Sequence, residues 1–227
     1  MYDVDSEKKK VFLRKLFHWH KKNYRNFVWR KSDDPYQIII AEMMLQKTDA
    51  KKVETVFKSF IKKYPSPKYL AKAKIKQIEK DINLLGIHQR AKRMKDLAID
   101  LVSDYNGKIP NEKKQLMNLA GIGEYISNAV LCFAFDKDAP LIDTNFIRIM
   151  DRVFSITTTK TRARADKELW ETMGTIIPKG LGKEFNFAIL DFAALVCKSR
   201  NPAHEICPLK DICNYYKKGV LQIYYLF

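Results

Sequence analysis

Apolar residues recur along most of this chain with the period of an α-helix. The segment 48–64 is the clearest case, because its apolar residues at 53, 56, 57, 60, 61 and 64 fall on one helical face. Thr48 or Asp49 can cap its start, and Pro65 ends it. No segment shows a convincing strand-like alternation. We therefore expect an all-α or mostly α-helical fold, with further helices over 6–22, 36–46, 74–83, 89–104, 112–118, 124–135, 145–154, 165–177 and 184–197.

The chain is strongly basic. Its 42 lysines and arginines against 26 aspartates and glutamates give a formal charge of +16 over 227 residues, enough for one large or two small domains. This excess favours nucleic acid as partner over a membrane surface, since no basic amphipathic anchor stands apart from the core-facing helices. No apolar run reaches transmembrane length, and the N-terminus lacks the apolar core of a signal peptide. We expect an intracellular protein with no membrane contact.

Three of the four cysteines lie close together near the C-terminus, with a histidine among them. Cys197, His204, Cys207 and Cys213 follow the spacing Cys-x6-His-x2-Cys-x5-Cys. In an intracellular protein this grouping indicates a metal site before a disulfide. Structural zinc binds three cysteines and one histidine, and iron–sulfur clusters bind mainly cysteine thiolates. The sequence is compatible with zinc, with an iron–sulfur cluster, and with three buried free thiols that bind no metal.

Two glycines separated by one residue lie between two predicted helices. Gly121 and Gly123 follow Leu119 and open the helix predicted from residue 124. Glycines allow a tight turn and the close approach of a partner, and the amides and positive dipole end of the next helix suit a phosphate. Such a turn can bind a nucleic-acid backbone without reading its sequence. Farther along, Asp143 is either an N-cap or a carboxylate that acts on the bound strand.

A second carboxylate, Glu42, lies in the most apolar run of the chain. Its neighbours from 38 to 45 are all isoleucine, alanine, methionine or leucine. Burial there disfavours the charged form and suits the side chain to hold a proton near neutral pH. The alternative is an exposed glutamate on a mostly buried helix.

Taken in their order along the chain, Glu42, the glycine turn with Asp143 and the C-terminal group of cysteines and histidine resemble the helix-hairpin-helix DNA glycosylases of the endonuclease III superfamily. The resemblance covers nearly the whole chain and is specific in combination. Its segments are Trp29-Arg30, Asp34-Pro35-Tyr36, 41–48, Leu85-Gly86-Ile87 with Arg90-Ala91, 119–123, 141–152 and the C-terminal loop. It implies a six-helix barrel over 32–144 and a second helical domain that combines 1–31 with 145–227 and carries the cluster loop. It also implies a monomer that binds double-stranded DNA and flips a mismatched base out of the stack.

The resemblance assigns roles to three side chains. Asp143 matches the catalytic aspartate, which stabilises the oxocarbenium-like sugar or activates the attacking water. Glu42 would protonate or orient the leaving base, and Tyr125 would line its pocket. Bifunctional members have a lysine at the position of Tyr125 and cut the strand through a Schiff base, so we expect base removal without strand cleavage.

Other residues are expected to contact DNA or metal. Gln46 resembles the residue that fills the gap left by the flipped base, and Ile87 with His88 resembles the wedge beside the orphaned partner. Leu119, Gly121 and Gly123 would bind phosphate, although Ala120 replaces the family's hairpin proline. Because His204 replaces the second family cysteine, the loop could hold a 4Fe–4S cluster with one histidine ligand, zinc, or nothing. We expect the cluster, since the spacing is intact.

The expected function is that of a base-excision-repair DNA glycosylase that removes thymine or uracil opposite guanine. Tyr125 with Glu42 resembles the archaeal thymine glycosylases that act on T:G and U:G mismatches. The alternative enzyme removes adenine opposite guanine or oxidised guanine. A third possibility is a DNA-binding protein that has lost catalysis, against which the presence of both Asp143 and Glu42 argues.

Overall fold

The computed structural model of the protein describes residues 2, 4–86, 88–158, 160 and 166–224, with only the backbone at 88 and 220–224. Within this part of the chain every regular element is a helix, which confirms the all-α prediction. Two 3-10 helices, Val28–Lys31 and Asn83–Leu85, precede α2 and α6. The α-helices are α1 Ser6–Asn23, α2 Pro35–Leu45, α3 Ala50–Lys63, α4 Pro67–Lys72, α5 Ile75–Asp81, α6 His88–Tyr105, α7 Lys113–Met117, α8 Glu124–Phe135, α9 Thr144–Phe154, α10 Lys167–Ile176, α11 Gly182–Leu195 and α12 Asn214–Tyr224.

Apolar periodicity predicts all of these α-helices except α4 and α12. Pro65 and Pro67 together indicate a break, yet Pro67 is the first residue of α4. A proline is tolerated there because first-turn amides have no acceptor within the helix. α12 includes part of the apolar C-terminal segment, whose role the sequence leaves open, and it packs on α9.

Local sequence signals set several helix starts. Aspartate side chains accept first-turn amides in α1, α2, α3, α9 and α10. These N-caps satisfy donors that the helix itself cannot satisfy. The N-cap of α9 is Asp143, one of the two predicted catalytic carboxylates.

The chain divides into two compact units, and residues 26–137 form one of them. α2 is apolar on all sides, so it lies inside this unit and packs against α3, α6 and α8. α4 and α5 pack on α6, and α7 packs on α8. The unit therefore brings the hairpin helices and the helix that carries Glu42 onto one core.

Residues 1–25 and 138–227 form the other unit, which has its own core. α1 and α9 pack on α11. Phe12, Phe146, Phe185 and Phe192 are each at most 1% exposed in its centre. The predicted division into 32–144 against 1–31 with 145–227 stays a prediction. In the described part of the chain, no helix is both long and apolar enough to cross a membrane.

Candidate functional site

A tight turn that requires one glycine joins α7 to α8. The amide of Ile122 donates to the carbonyl of Leu119 at 3.1 Å. Between them, Gly121 has a φ of +76°, and a Cβ there would lie 3.1 Å from Met43 Cε and 3.3 Å from Arg93 Cβ. Glycine at 121 therefore serves both the left-handed backbone and the close approach of α2 and α6.

Gly123 differs, because nothing in the described part of the chain requires a glycine there. It is the N-cap of α8 with φ −105° and ψ −175°, an extended backbone that any residue adopts. A Cβ at this position would meet nothing within 4 Å. A glycine N-cap has no side-chain oxygen, so the positive end of α8 is not closed by a capping group. The turn therefore presents an open helix start.

A carboxylate restrains this hairpin at the position where the family has proline. The amide of Ala120 donates to Asp100 Oδ2, on α6, at 2.8 Å. Ala120 is the second residue of the turn from Leu119 to Ile122, so the turn's own hydrogen bond does not use its N–H. Proline, which has no N–H, could not make the bond to Asp100. The hydrogen bond to Asp100 thus restrains the turn, which lacks the stiffening proline at position 120.

The other residues predicted to contact DNA lie in the same unit as the hairpin. Leu119 is 3% exposed, so its side chain packs in the core of the unit and does not face a partner. Gln46 is exposed and is the C-cap of α2. Ile87 and the side chain of His88 lie outside the described residues.

Glu42 and Tyr125 lie on two helices that pack against each other. Glu42 is 6% exposed on α2, so the exposed alternative is wrong. Tyr125 is half-buried in the first turn of α8. The pairing of α2 with α8 therefore brings the helices of these two predicted site residues together.

Asp143 is held in one orientation at the start of α9. Its Oδ1 accepts the amides of Asn145 at 2.9 Å and Phe146 at 2.8 Å. Its Oδ2 accepts Asn145 Nδ2 at 2.7 Å. The N-cap interpretation is therefore correct as structure, and it leaves a catalytic role open, because capping also orients the carboxylate.

A chain of hydrogen bonds joins Asp143 to the C-terminal loop. Beyond Asn145, Arg148 Nη2 donates to Asn145 Oδ1 at 3.0 Å. Arg148 Nε donates to the carbonyl of Cys197 at 2.9 Å. The predicted catalytic carboxylate is thus connected, through the side chains of Asn145 and Arg148, to the backbone of the first cysteine of the loop.

The four predicted metal ligands line one cavity in the unit formed by 1–25 and 138–227. Cys197, His204, Cys207 and Cys213 line one pocket whose other walls are mainly apolar. Among the described residues, no three His, Cys, Asp or Glu side chains converge as ligands of one metal ion would. Three thiols and one imidazole thus border the same pocket without converging on one point. This donor set fits a polynuclear cluster, in which each iron has its own protein ligand.

Arg152 ties the ends of this loop to α9. Its Nη1 donates to Cys197 Sγ at 3.4 Å and to the carbonyl of Lys198 at 2.7 Å. The Cys213 thiol donates to the Arg152 carbonyl at 3.3 Å. Burial raises the pKa of Cys207 to about 11 and also raises the pKa of Cys213. Both thiols therefore hold their protons at neutral pH unless a metal displaces them.

Comparison with known families identifies the superfamily to which the chain belongs. Residues 40–174 match the sequence model described as HhH-GPD superfamily base excision DNA repair protein. The chain belongs to this superfamily. Residues 197–213 of this HhH-GPD protein match the iron–sulfur binding domain of endonuclease III. The protein is therefore a base-excision DNA glycosylase whose partner is DNA, and its C-terminal loop is an iron–sulfur binding domain.

Individual HhH-GPD relatives match along most of the chain. A thymine/uracil-DNA glycosylase of Pyrobaculum aerophilum is 38% identical over 91% of this chain and 92% of its own length. The solved structure of a thermostable thymine-DNA glycosylase matches at a TM-score of 0.89 and 35% identity, covering 95% of this chain and 100% of that one. An adenine DNA glycosylase of Mycobacterium tuberculosis is 29% identical over 90% of this chain and 67% of its own length. The predicted resemblance, to thymine glycosylases before adenine glycosylases, is confirmed.

Sequence reasoning missed four supporting residues of this HhH-GPD protein. Arg148 and Arg152 carried a usable signal, because with Asn145 they recur every three or four residues and so share a face of α9. Arg90 lies in one of the segments that carry the resemblance, but the sequence assigned it no role, and Asp100 carried no signal. Each acts on a loop that lies far from it in sequence, and only the packing of α6 brings them together.

Proposed function

We propose that the protein is a monofunctional glycosylase that removes thymine or uracil opposite guanine. The observation that carries the proposal is Tyr125, which is half-buried in the first turn of α8 where bifunctional members have lysine. A phenol cannot form the Schiff base through which those enzymes cut the strand. The names of the relatives support thymine and uracil as bases. Uracil is thymine without its methyl group, so a pocket that admits thymine has room for it.

Asp143 is the proposed catalytic carboxylate. As the bond between base and sugar breaks, positive charge develops on the sugar, and a fixed anion lowers the energy of that state. Three N–H donors already fix the Asp143 carboxylate, so no reorganisation is needed when charge develops. The same carboxylate can accept a proton from the water that adds to the sugar.

Glu42 is the proposed proton donor to the leaving base. Its carboxyl group is 6% exposed on the apolar helix α2, so bulk water is largely excluded from it. A proton carried by this carboxyl can pass to the departing pyrimidine, which leaves as a neutral base. Tyr125, on the helix that packs against α2, would line the pocket for that base.

The hairpin is the proposed phosphate-binding element. The glycine at 123 is explained by neither backbone nor packing, and the start of α8 is open. A DNA backbone that approaches this helix start accounts for both features. The formal charge of +16 supports binding to DNA of any sequence. Gln46, Ile87 and His88 are proposed to replace the flipped base and separate its partner.

The C-terminal loop is proposed to bind a 4Fe–4S cluster through three thiolates and the His204 imidazole. Zinc is less favoured, because a zinc site needs its ligands around one ion and the described side chains do not converge in that way. A bound cluster supplies a cross-link between the two ends of the loop. His204 packs against the ring of Tyr216 at 5.1 Å, which limits how far its own ring can swing.

The proposal is tested with duplexes that carry a labelled T:G, U:G or A:G pair, incubated with the protein and then treated with or without alkali. Alkali cuts the strand at a site that has lost its base. Product from T:G and U:G only after alkali supports the proposal. Product without alkali shows strand cleavage by the protein, and product from A:G alone assigns the enzyme to adenine. Binding with no product on any duplex identifies a protein that has lost catalysis.

Three further expectations belong to the same proposal. The protein acts as a monomer, which light scattering of the free protein and of its DNA complex can check. Its domains divide at 31/32 and 144/145. Because genomic DNA is its substrate, it works inside the cell.

A further inference from the structure

The loop that carries Gln46 has a strained backbone. The amide of Thr48 donates to the carbonyl of Leu45 at 3.1 Å. Between them, Lys47 has a φ of +53°, in the left-handed region that a lysine rarely adopts. A backbone of this kind persists only where its surroundings hold it. Something outside the loop must therefore stabilise it.

Arg90, in the first turn of α6, provides this stabilisation. Its Nη2 donates to the carbonyl of Gln46 at 2.6 Å and to Thr48 Oγ1 at 2.9 Å. Its Nη1 donates to the carbonyl of Leu85 at 3.2 Å, in the 3-10 helix that ends at Gly86. One guanidinium group thus joins the Gln46 loop to the turn that precedes α6.

Burying the charged guanidinium of Arg90 costs desolvation free energy. Arg90 is 2% exposed, its Nε has no hydrogen-bond partner among the described residues, and burial lowers its pKa. Its hydrogen bonds to described residues go to two carbonyls and a hydroxyl, which are neutral groups. A buried cation paired only with neutral acceptors offers little net stability compared with an apolar side chain of the same size. Packing alone does not explain why arginine is here.

We propose that Arg90 is a positioning residue for base flipping. It holds the Gln46 loop and the turn ending at Gly86 in one arrangement before DNA arrives, so that the Gln46 side chain enters the gap as the target base leaves. Groups ordered in advance do not lose that freedom during the reaction. This inference rests on the proposed function and adds a residue that touches no reacting atom.

The test compares single-turnover rates on two substrates that carry the same uracil. One has a U:G pair in an intact duplex, and the other has uracil inside a bubble of mismatches, where no stacked pair must open. For Arg90→Met we expect a rate about 10- to 100-fold lower on the duplex and within about threefold of normal on the bubble. Thr48→Val removes one acceptor and should lower the duplex rate about threefold. Arg90→Lys keeps the charge without the forked geometry and should restore only part of the loss.

Lys95→Met is the matched control. Lys95 also ties α6 to a backbone carbonyl, that of Ala73 at 2.7 Å, which belongs to neither loop. Lys95→Met should change the rates on the duplex and on the bubble by the same factor, whatever its effect on thermal unfolding. Equal losses on duplex and bubble for Arg90→Met would show a merely structural role and overturn the proposal. If Arg90→Met does not fold, Arg90→Lys decides on the same criterion, since its smaller loss should also be confined to the duplex. An unmodified protein that removes uracil from neither substrate refutes the proposed function itself, a result distinct from the loss of selectivity.

Discussion

Asp100 and Ala120 should be energetically coupled. The effect of Ala120→Pro on hairpin stability should change sign when Asp100 is replaced by alanine. Asp100 accepts the Ala120 amide at 2.8 Å and thereby restrains the hairpin. A hydrogen bond to a charged acceptor contributes about 1.5–3 kcal/mol, and the low end applies because Asp100 is half-buried. Asp100→Ala should therefore favour hairpin opening by about 1.5 kcal/mol, which is roughly a tenfold change.

Ala120→Pro removes the same hydrogen bond from the other side and adds a stiffer backbone. Proline at a compatible turn position stabilises by about 0.4–1 kcal/mol, because it restricts the unfolded chain. With Asp100 present, the substitution loses more than it gains and should destabilise the hairpin by roughly 1 kcal/mol. In the Asp100→Ala background no bond remains to be lost, so the same substitution should stabilise it by about 0.4–1 kcal/mol.

Hydrogen exchange of the Ile122 amide measures this opening in all four proteins. That amide closes the turn by donating to Leu119, and it exists in every variant. Asp96→Ala is the control, since Asp96 lies on the same helix and pairs only with exposed Lys92 at 2.6 Å. It should leave the exchange rate within about twofold. If Ala120→Pro has the same effect with and without Asp100, the two residues are not coupled and the reasoning is refuted.

Substitutions at three other positions test the proposed chemistry. Asp143→Asn should reduce turnover by about 10²–10³-fold or more, with DNA binding intact, because asparagine can still cap α9 but carries no charge. A variant with normal turnover would exclude Asp143 as the catalytic carboxylate. Tyr125→Lys should allow some strand cleavage without alkali, and borohydride should trap the protein on DNA through the Schiff base; an untrapped, unchanged product pattern would contradict the placement of residue 125. His204→Ala should lower the iron content and the visible absorbance of the purified protein, whereas His204→Cys should retain iron with a changed spectrum. Full iron content in His204→Ala would show that the imidazole is not a ligand.

Short-range sequence signals determined most of the helices and many of the candidate residues. α2 is apolar except at Gln37 and Glu42, so its place in the core of the unit 26–137 follows from the sequence alone. Asp143 was recognisable as an N-cap because it directly precedes a helix. Pro67 was misread, since a proline that breaks one helix and a proline that begins the next look alike in sequence.

The tertiary structure decided which residues support those candidates. Asp100 meets Ala120, and Arg90 meets Gln46, only because helices distant in sequence pack together. Asn145 and Arg148 connect Asp143 to Cys197 across the fold. Caps, periodicity and ligand spacing are local properties, which a sequence displays directly. A hydrogen bond between remote residues depends on the packed arrangement of their helices, and no local pattern encodes it.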